Sequence, residues 1–465
     1  MPVLPNRLRI PSCIRMAKRF RAVSTVPIIP PCYNLCTLQE TNRVNYWAIS
    51  IFWLGVSVHW AAFLTIVIQV RVASLVAPEM KGTYLAWLAA AGALLSTVIQ
   101  LIVGPISDRC ASPMGRRRPF ILWGTLLTLP FILLFMTTHN FWVLVFHFVM
   151  IQLFLNWANG PYQAVIPDYV PPERHGLASA WMGMMTLVGN LIGLALAGLI
   201  LNEPPLLFRG YSPSARLLIV GIALALFLLV TMLWTVLGMR EPRWQPSNPD
   251  ERRLHPALFV NILLNEHPNF RWVVVSRFAF NLGFYTVLFY LEYYLRDTMR
   301  LGEGAPMQAF VIMTIATLTG VLGNWLAGVL ADRTSKKRVL YYTAAIMGVG
   351  TLLFLIAPEL RWVYLLGAIF GFAWGAFAAV DWALASNLVP IAESGRYMAI
   401  WHISMTVPQV LAPLVAGPLG DWLNQSYGLG VGWRWVFALV PFYLVLAVLL
   451  LRPVRERTEV LHAGA

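Results

Sequence analysis

Gly104-Pro105-Ile106-Ser107-Asp108-Arg109 closes one long apolar run, and Gly328-Val329-Leu330-Ala331-Asp332-Arg333 closes another 224 residues later. A second pair repeats at 219 to 220 residues: Asp168-Tyr169-Val170-Pro171 with Glu173, Gly176 and Trp181, then Asn387-Leu388-Val389-Pro390 with Glu393, Gly395 and Trp401. Two independent matches at nearly one spacing mean that the chain is built twice over. A duplicated set of apolar helices is the pattern of a carrier in which one half rocks against the other around a central site.

The residues between these landmarks are those of a membrane. Of the 465 residues, 58% are hydrophobic and 12% charged, more apolar side chain than a water-facing surface of this size can absorb. Spans are expected near 46–70, 83–105, 119–137, 141–163, 177–200, 215–238, 273–295, 306–330, 339–357, 361–388, 397–419 and 432–451. Strand-like alternation is missing, which argues against a β-barrel. The expected fold class is therefore an all-α membrane protein, with twelve transmembrane helices in two pseudo-symmetric six-helix bundles. The boundaries that follow are a basic tail (1–45), an N-terminal bundle (46–238), a central loop (239–272), a C-terminal bundle (273–452) and a short tail (453–465). Within the central loop, Ala257 to Leu264 is apolar enough for a surface helix, with a solvated linker as the alternative.

The net charge of +14 is distributed by side. With the N-terminus inside, 25 of the 34 Lys and Arg fall in the tails and in the loops on its side of the membrane. That asymmetry is the positive-inside signature, and it accounts for the basic chain without nucleic acid. It predicts a multi-pass protein of the cytoplasmic (inner) membrane with both termini in the cytoplasm. Cys13, Cys32, Cys36 and Cys110 lack the neighbours of a metal site and read as free thiols. No cleaved signal peptide is expected.

The loop after the second span carries Asp108 and Arg109, then Gly115-Arg116-Arg117-Arg118-Pro119. A carboxylate where a helix ends can bond an arginine or a neighbouring helix N-terminus in one conformation and release it in another. Asp108, Arg109, Arg116, Arg117 and Arg118 are accordingly candidate gate residues, with Asp332, Arg333, Lys337 and Arg338 as the second copy. The alternative for any one arginine is that it only enforces topology.

These loops resemble the signature of the major facilitator superfamily. The triple arginine before Pro119-Phe120 resembles, more narrowly, the sucrose transporter family and its bacterial and animal relatives, and Asn159-Gly160-Pro161-Tyr162-Gln163-Ala164 with Gly189-Asn190-Leu191-Ile192-Gly193 agrees. The resemblance implies alternating access, with spans one, four, seven and ten lining the cavity. One departure matters. Plant sucrose transporters carry an acidic residue and an arginine in the fourth span, where this chain has Gln152 and Gln163, so the plant route of proton coupling is in doubt.

Polar side chains inside hydrocarbon are costly and tend to face an interior. Gln152, Asn156, Asn159 and Gln163 recur on one face of the fourth span. Four amides offer donors and acceptors together, which suits sugar hydroxyls; interhelical bonding is the alternative. His59 reads as a substrate partner, a proton relay or a packed core residue. Asp381 is a candidate proton carrier, or else the fixed partner of a cation such as Arg277. Asn190, Asn281, Trp382 and Gln409 complete the substrate candidates. The function expected is sugar:proton symport, of a disaccharide or glucoside. The competing readings are a carrier of a drug-like solute and a non-transporting sensor or assembly factor. An enzyme activity, a cofactor, a metal and nucleotide drive are not expected, and the expected partners are the solute, a proton and the lipid bilayer around a monomer.

Overall fold

In a computed structural model the described residues are 45–108, 110, 112–170, 175–202, 205–239, 241, 268–388 and 394–454. The N-terminal tail with Cys13, Cys32 and Cys36, Arg109, most of the central loop with Ala257 to Leu264, and the chain beyond 454 lie outside them. So do the side chains of Asp108, Asp332 and Trp382. Cys110 is a free thiol.

Lipid offers no partner for backbone N–H and C=O groups, so each apolar run closes its own hydrogen bonds as a helix. Twelve long helices stand among the described residues: α1 (Tyr46–Leu75), α2 (Lys81–Asp108), α3 (Arg118–Thr137), α4 (Phe141–Gln163), α5 (His175–Leu201), α6 (Pro213–Gly238), α7 (Pro268–Thr298), α8 (Ala305–Arg333), α9 (Lys336–Leu353), α10 (Leu360–Leu388), α11 (Ser394–Tyr427) and α12 (Val431–Leu451). Eleven are long and apolar enough to cross a membrane. The exception is α9, whose 18 residues begin Lys336-Lys337-Arg338. Three cations in its first turn leave no uncharged stretch of full span length.

Side chains set the helix starts. Asn45 accepts from the Ala48 N–H, Asn140 from Trp142 and Val143, Ser212 from Ala215 and Ser335 from Arg338. Inside α1, Phe63–Val67 widens to a π-turn, and Gln69 donates to the Leu64 carbonyl at 2.7 Å. An amide there satisfies an oxygen that the widened turn would strand in hydrocarbon.

Helices before residue 239 pack chiefly on one another (α1 on α5 and α6, α4 on α2 and α3), as do those after 267 (α8 on α10, α7 on α11 and α12). The two sets meet along α2 with α11 and α5 with α8. Glycines permit the tightest approaches. A Cβ on Gly375 of α10 would lie 1.9 Å from the Gly320 carbonyl oxygen of α8, and one on Gly193 of α5 would lie 2.2 Å from that of Val58 in α1. One end of the molecule carries Arg116–Arg118, Asp168 and Arg333–Arg338 and is called the basic end below. The opposite end carries residues 76–80, 298–304 and 428–430.

Candidate functional site

The basic end is tied together by acidic residues that sequence reading had not paired with the arginines. Asp168 follows α4 in the short helix Val165–Tyr169 and accepts from Arg116 Nη2 and from Arg117 Nε, the latter at 2.9 Å. Arg117 also reaches the Ser107 hydroxyl at the end of α2. Glu241, just past α6, accepts from the backbone N–H of Arg116, of Arg117 at 3.0 Å and of Arg118 at 2.9 Å. Those are the orphan donors at the start of α3, where Pro119 occupies the first turn as its fixed φ suits. Tyr169 hydrogen-bonds to the same Glu241; burial, then that carboxylate, holds its phenol above its ordinary range. In the second copy, Lys337 Nζ donates to the carbonyls of Arg452 at 2.6 Å and Val454 at 2.9 Å, past the end of α12. Arg333 and Arg338 are exposed.

Midway along α4 the amides behave differently from one another. Gln152, Asn156 and Asn159 are buried, while Gln163 is exposed at the helix end. Asn156 Nδ2 donates to the Gln152 carbonyl at 2.8 Å and to Gln152 Oε1 at 2.9 Å, and Gln100 of α2 donates to Asn156 Oδ1 at 2.9 Å. Asn159 Oδ1 has no hydrogen-bond partner in the structure. His59 is fully buried, stacked on Phe63 with ring centroids 4.7 Å apart and edge-on to Trp60 at 4.9 Å, and neither ring nitrogen is hydrogen-bonded. Asn190 is half-buried on α5.

The second half centres on α7. Arg277 Nη1 pairs with Asp381 Oδ2 of α10, the Asp381 side chain being 2% exposed. The guanidinium lies 4.0 Å over the Trp401 ring of α11, so the cation has a carboxylate on one partner helix and a π-face on another. One turn along α7, Asn281 donates to the Ser404 carbonyl at 3.1 Å; two turns along, Tyr285 OH accepts from Gln409 at 2.7 Å. Between α7 and α10, Phe280 stacks on Phe377 and Phe284 on Trp374, with centroids 3.4 and 3.7 Å apart. Of the two roles open to Asp381, the geometry supplies the partner of one, Arg277. Further along α7, Glu292 is fully buried and bonded to Arg296 at 2.8 Å.

A family model of the Major Facilitator Superfamily matches residues 44–413. The chain belongs to that superfamily. It is therefore an integral, multi-pass membrane protein. The nucleoside transporter NupG shares the fold, with a TM-score of 0.70 at 12% identity over 88% of this chain and all of that one. Among curated relatives, the multidrug resistance protein B homolog of Mycobacterium tuberculosis is 32% identical over 112 residues, 24% of this chain and 19% of the relative. The sucrose transport protein SUC3 of Arabidopsis thaliana is 27% identical over 126 residues, 22% of this chain and 21% of the relative. The chain spans about a fifth of the length of the first curated relatives it matches.

Sequence reading missed Glu241 and Asp168 as partners of the arginines, and it missed Lys81, Asp297 and Asp421. Asp421 had a usable signal. It sits in an otherwise apolar run and ends Gly417-Pro418-Leu419-Gly420-Asp421, a near copy of the Gly104-Pro105 to Asp108 stretch. Lys81 and Asp297 lie at span ends, where a charge carries no such signal.

Proposed function

We propose that this transporter moves a small polyhydroxylated solute, a disaccharide or glucoside, by alternating access, with a proton carried in the same direction. The observation that supports it best is the buried Arg277–Asp381 pair. An ion pair in hydrocarbon is retained at a cost in desolvation, which favours a functional role. Protonating Asp381 would release Arg277, and returning the proton would restore the pair, so one site can link proton movement to helix position. The amide chain of Gln100, Asn156 and Gln152, with Asn159, Asn281 and Gln409, supplies neutral donors and acceptors of the kind that hydroxyls need. His59, Asn190 and Gln163 belong to the same proposed pocket, with Trp382 of α10. The two six-helix halves are the rocking bodies, and the basic end is cytoplasmic, with Arg116, Arg117 and Arg118 and the loops ending at Asp108, Arg109, Asp332, Arg333, Lys337 and Arg338 as its gate. The likeness to a sucrose carrier supports the solute class.

The test is counterflow in proteoliposomes with a panel of labelled disaccharides and glucosides beside a hydrophobic cation. Saturable sugar counterflow is expected. Counterflow of the cation alone would replace the solute class with a drug-like one, in line with the multidrug relative.

A further inference from the structure

At the end opposite the arginines, the two halves are joined by charged and polar groups that the proposed transport site does not use. Lys81, the first residue of α2, pairs with Asp297 of α7 at 2.6 Å, the side chains 5% and 7% exposed. Asp297 also accepts from the Trp433 indole N–H at 2.7 Å, and Lys81 lies 4.7 Å from the centre of the Tyr293 ring. One residue further along α2, the chain meets α11. Asp421 accepts from the Gly82 N–H at 3.1 Å, from the Thr83 N–H at 2.6 Å and from the Thr83 hydroxyl at 2.7 Å. The backbones touch there, since a Cβ on Gly417 would lie 2.3 Å from the Gly82 carbonyl oxygen. Tyr290 OH lies 3.2 Å from that same oxygen, and Gln425 donates to the Glu79 carbonyl at 3.0 Å.

The first N–H groups of a helix have no partner within it, and they carry the positive end of the helix dipole. A carboxylate is the strongest partner for them. For α2 that carboxylate comes from the other half of the molecule, 338 residues away. If the halves part at this end, α2 loses its cap. The ion pair behaves differently. Closing strips water from Lys81 and Asp297 and opening returns it, so their attraction and their desolvation come close to offsetting.

We propose that Asp421 and the start of α2 form the latch of this face, with Lys81–Asp297 as a nearly balanced pair beside it that lets the latch open. The proposal rests on the alternating-access reading. The latch closes the face on which the solute would enter from outside, and each cycle breaks and remakes it.

Spin labels at Ala77→Cys and Tyr427→Cys, both exposed positions outside the contacts named above, in a background free of the native cysteines, report the distance across this face in nanodiscs without solute. The parent should give mainly the short, closed distance. Asp421→Ala should raise the ratio of open to closed molecules about fivefold, the size expected for a lost helix cap. Asp421→Asn should raise it less, because an amide oxygen still caps, and Thr83→Ala should raise it by a similar small amount. Lys81→Met or Asp297→Asn alone should favour opening more than the two together. Unchanged distances in Asp421→Ala would overturn the latch. If Asp421→Ala does not reach the membrane folded, unchanged distances in both Asp421→Asn and Thr83→Ala overturn it instead. Distances that shift in a protein with no sugar counterflow would keep the latch and remove the solute class.

Discussion

At the scale of single residues, Arg277 and Asp381 carry the most weight. Removing only the cation leaves an uncompensated carboxylate in hydrocarbon, and Arg277→Gln should destabilise the protein by about 3 kcal/mol. Replacing both, as Arg277→Met with Asp381→Leu, should recover most of that loss while transport stays uncoupled. Thermal unfolding in detergent of the two single variants and the double measures the coupling. Asp381→Asn should abolish uphill accumulation and spare downhill exchange, since exchange needs no net proton movement. Loss of both activities with little protein in the membrane would make the pair structural. The pair was half legible in the sequence. An acid and an arginine within two apolar spans stand out in any reading, whereas their meeting depends on how α7 and α10 are turned. The α4 amides show the same limit: helical spacing put four on one stripe, but Gln163 lies past the buried stretch and is exposed, while Gln152, Asn156 and Asn159 are buried.

At the scale of elements, the packing makes opposite predictions for glycines that look alike in the sequence. Gly375→Ala forces α10 off α8 and should destabilise by about 1–3 kcal/mol. Gly104 and Gly328, the glycines that open the repeated motif, have nothing within 4 Å of an added Cβ, so alanine there should be neutral or stabilising by up to about 1 kcal/mol. Melting temperatures of the three variants check both statements. Glu241→Ala should cost about 1 kcal/mol through the uncapped start of α3, a loss that Glu241→Gln should partly avoid. Eleven of the helices are legible as full-length apolar runs because lipid imposes one rule on every span. The twelfth, α9, expected near 339–357 and found at Lys336–Leu353, is short and opens on three cations, of which Lys337 bonds the carbonyls past the end of α12. Capping from a distant element, by Glu241 at the basic end and by Asp421 at the other, leaves no signature beside the capped helix, even where the capping residue itself stands out, as Asp421 does. A cap read from sequence is looked for beside its helix, not across the fold.

At the scale of the whole molecule, the sequence repeats at about 220 residues, the helices before residue 239 and those after 267 pack chiefly within their own sets, and the chain belongs to the Major Facilitator Superfamily. The proposed mechanism makes proton and sugar move together, which single-helix measurements cannot reach. The direct measurement is the lumenal pH of proteoliposomes on adding a disaccharide or glucoside outside, with no other gradient present. Sugar-dependent acidification of the lumen, saturable and lost in Asp381→Asn, is the predicted result. Sugar entry that leaves the pH unmoved, or acidification that persists in Asp381→Asn, would contradict it.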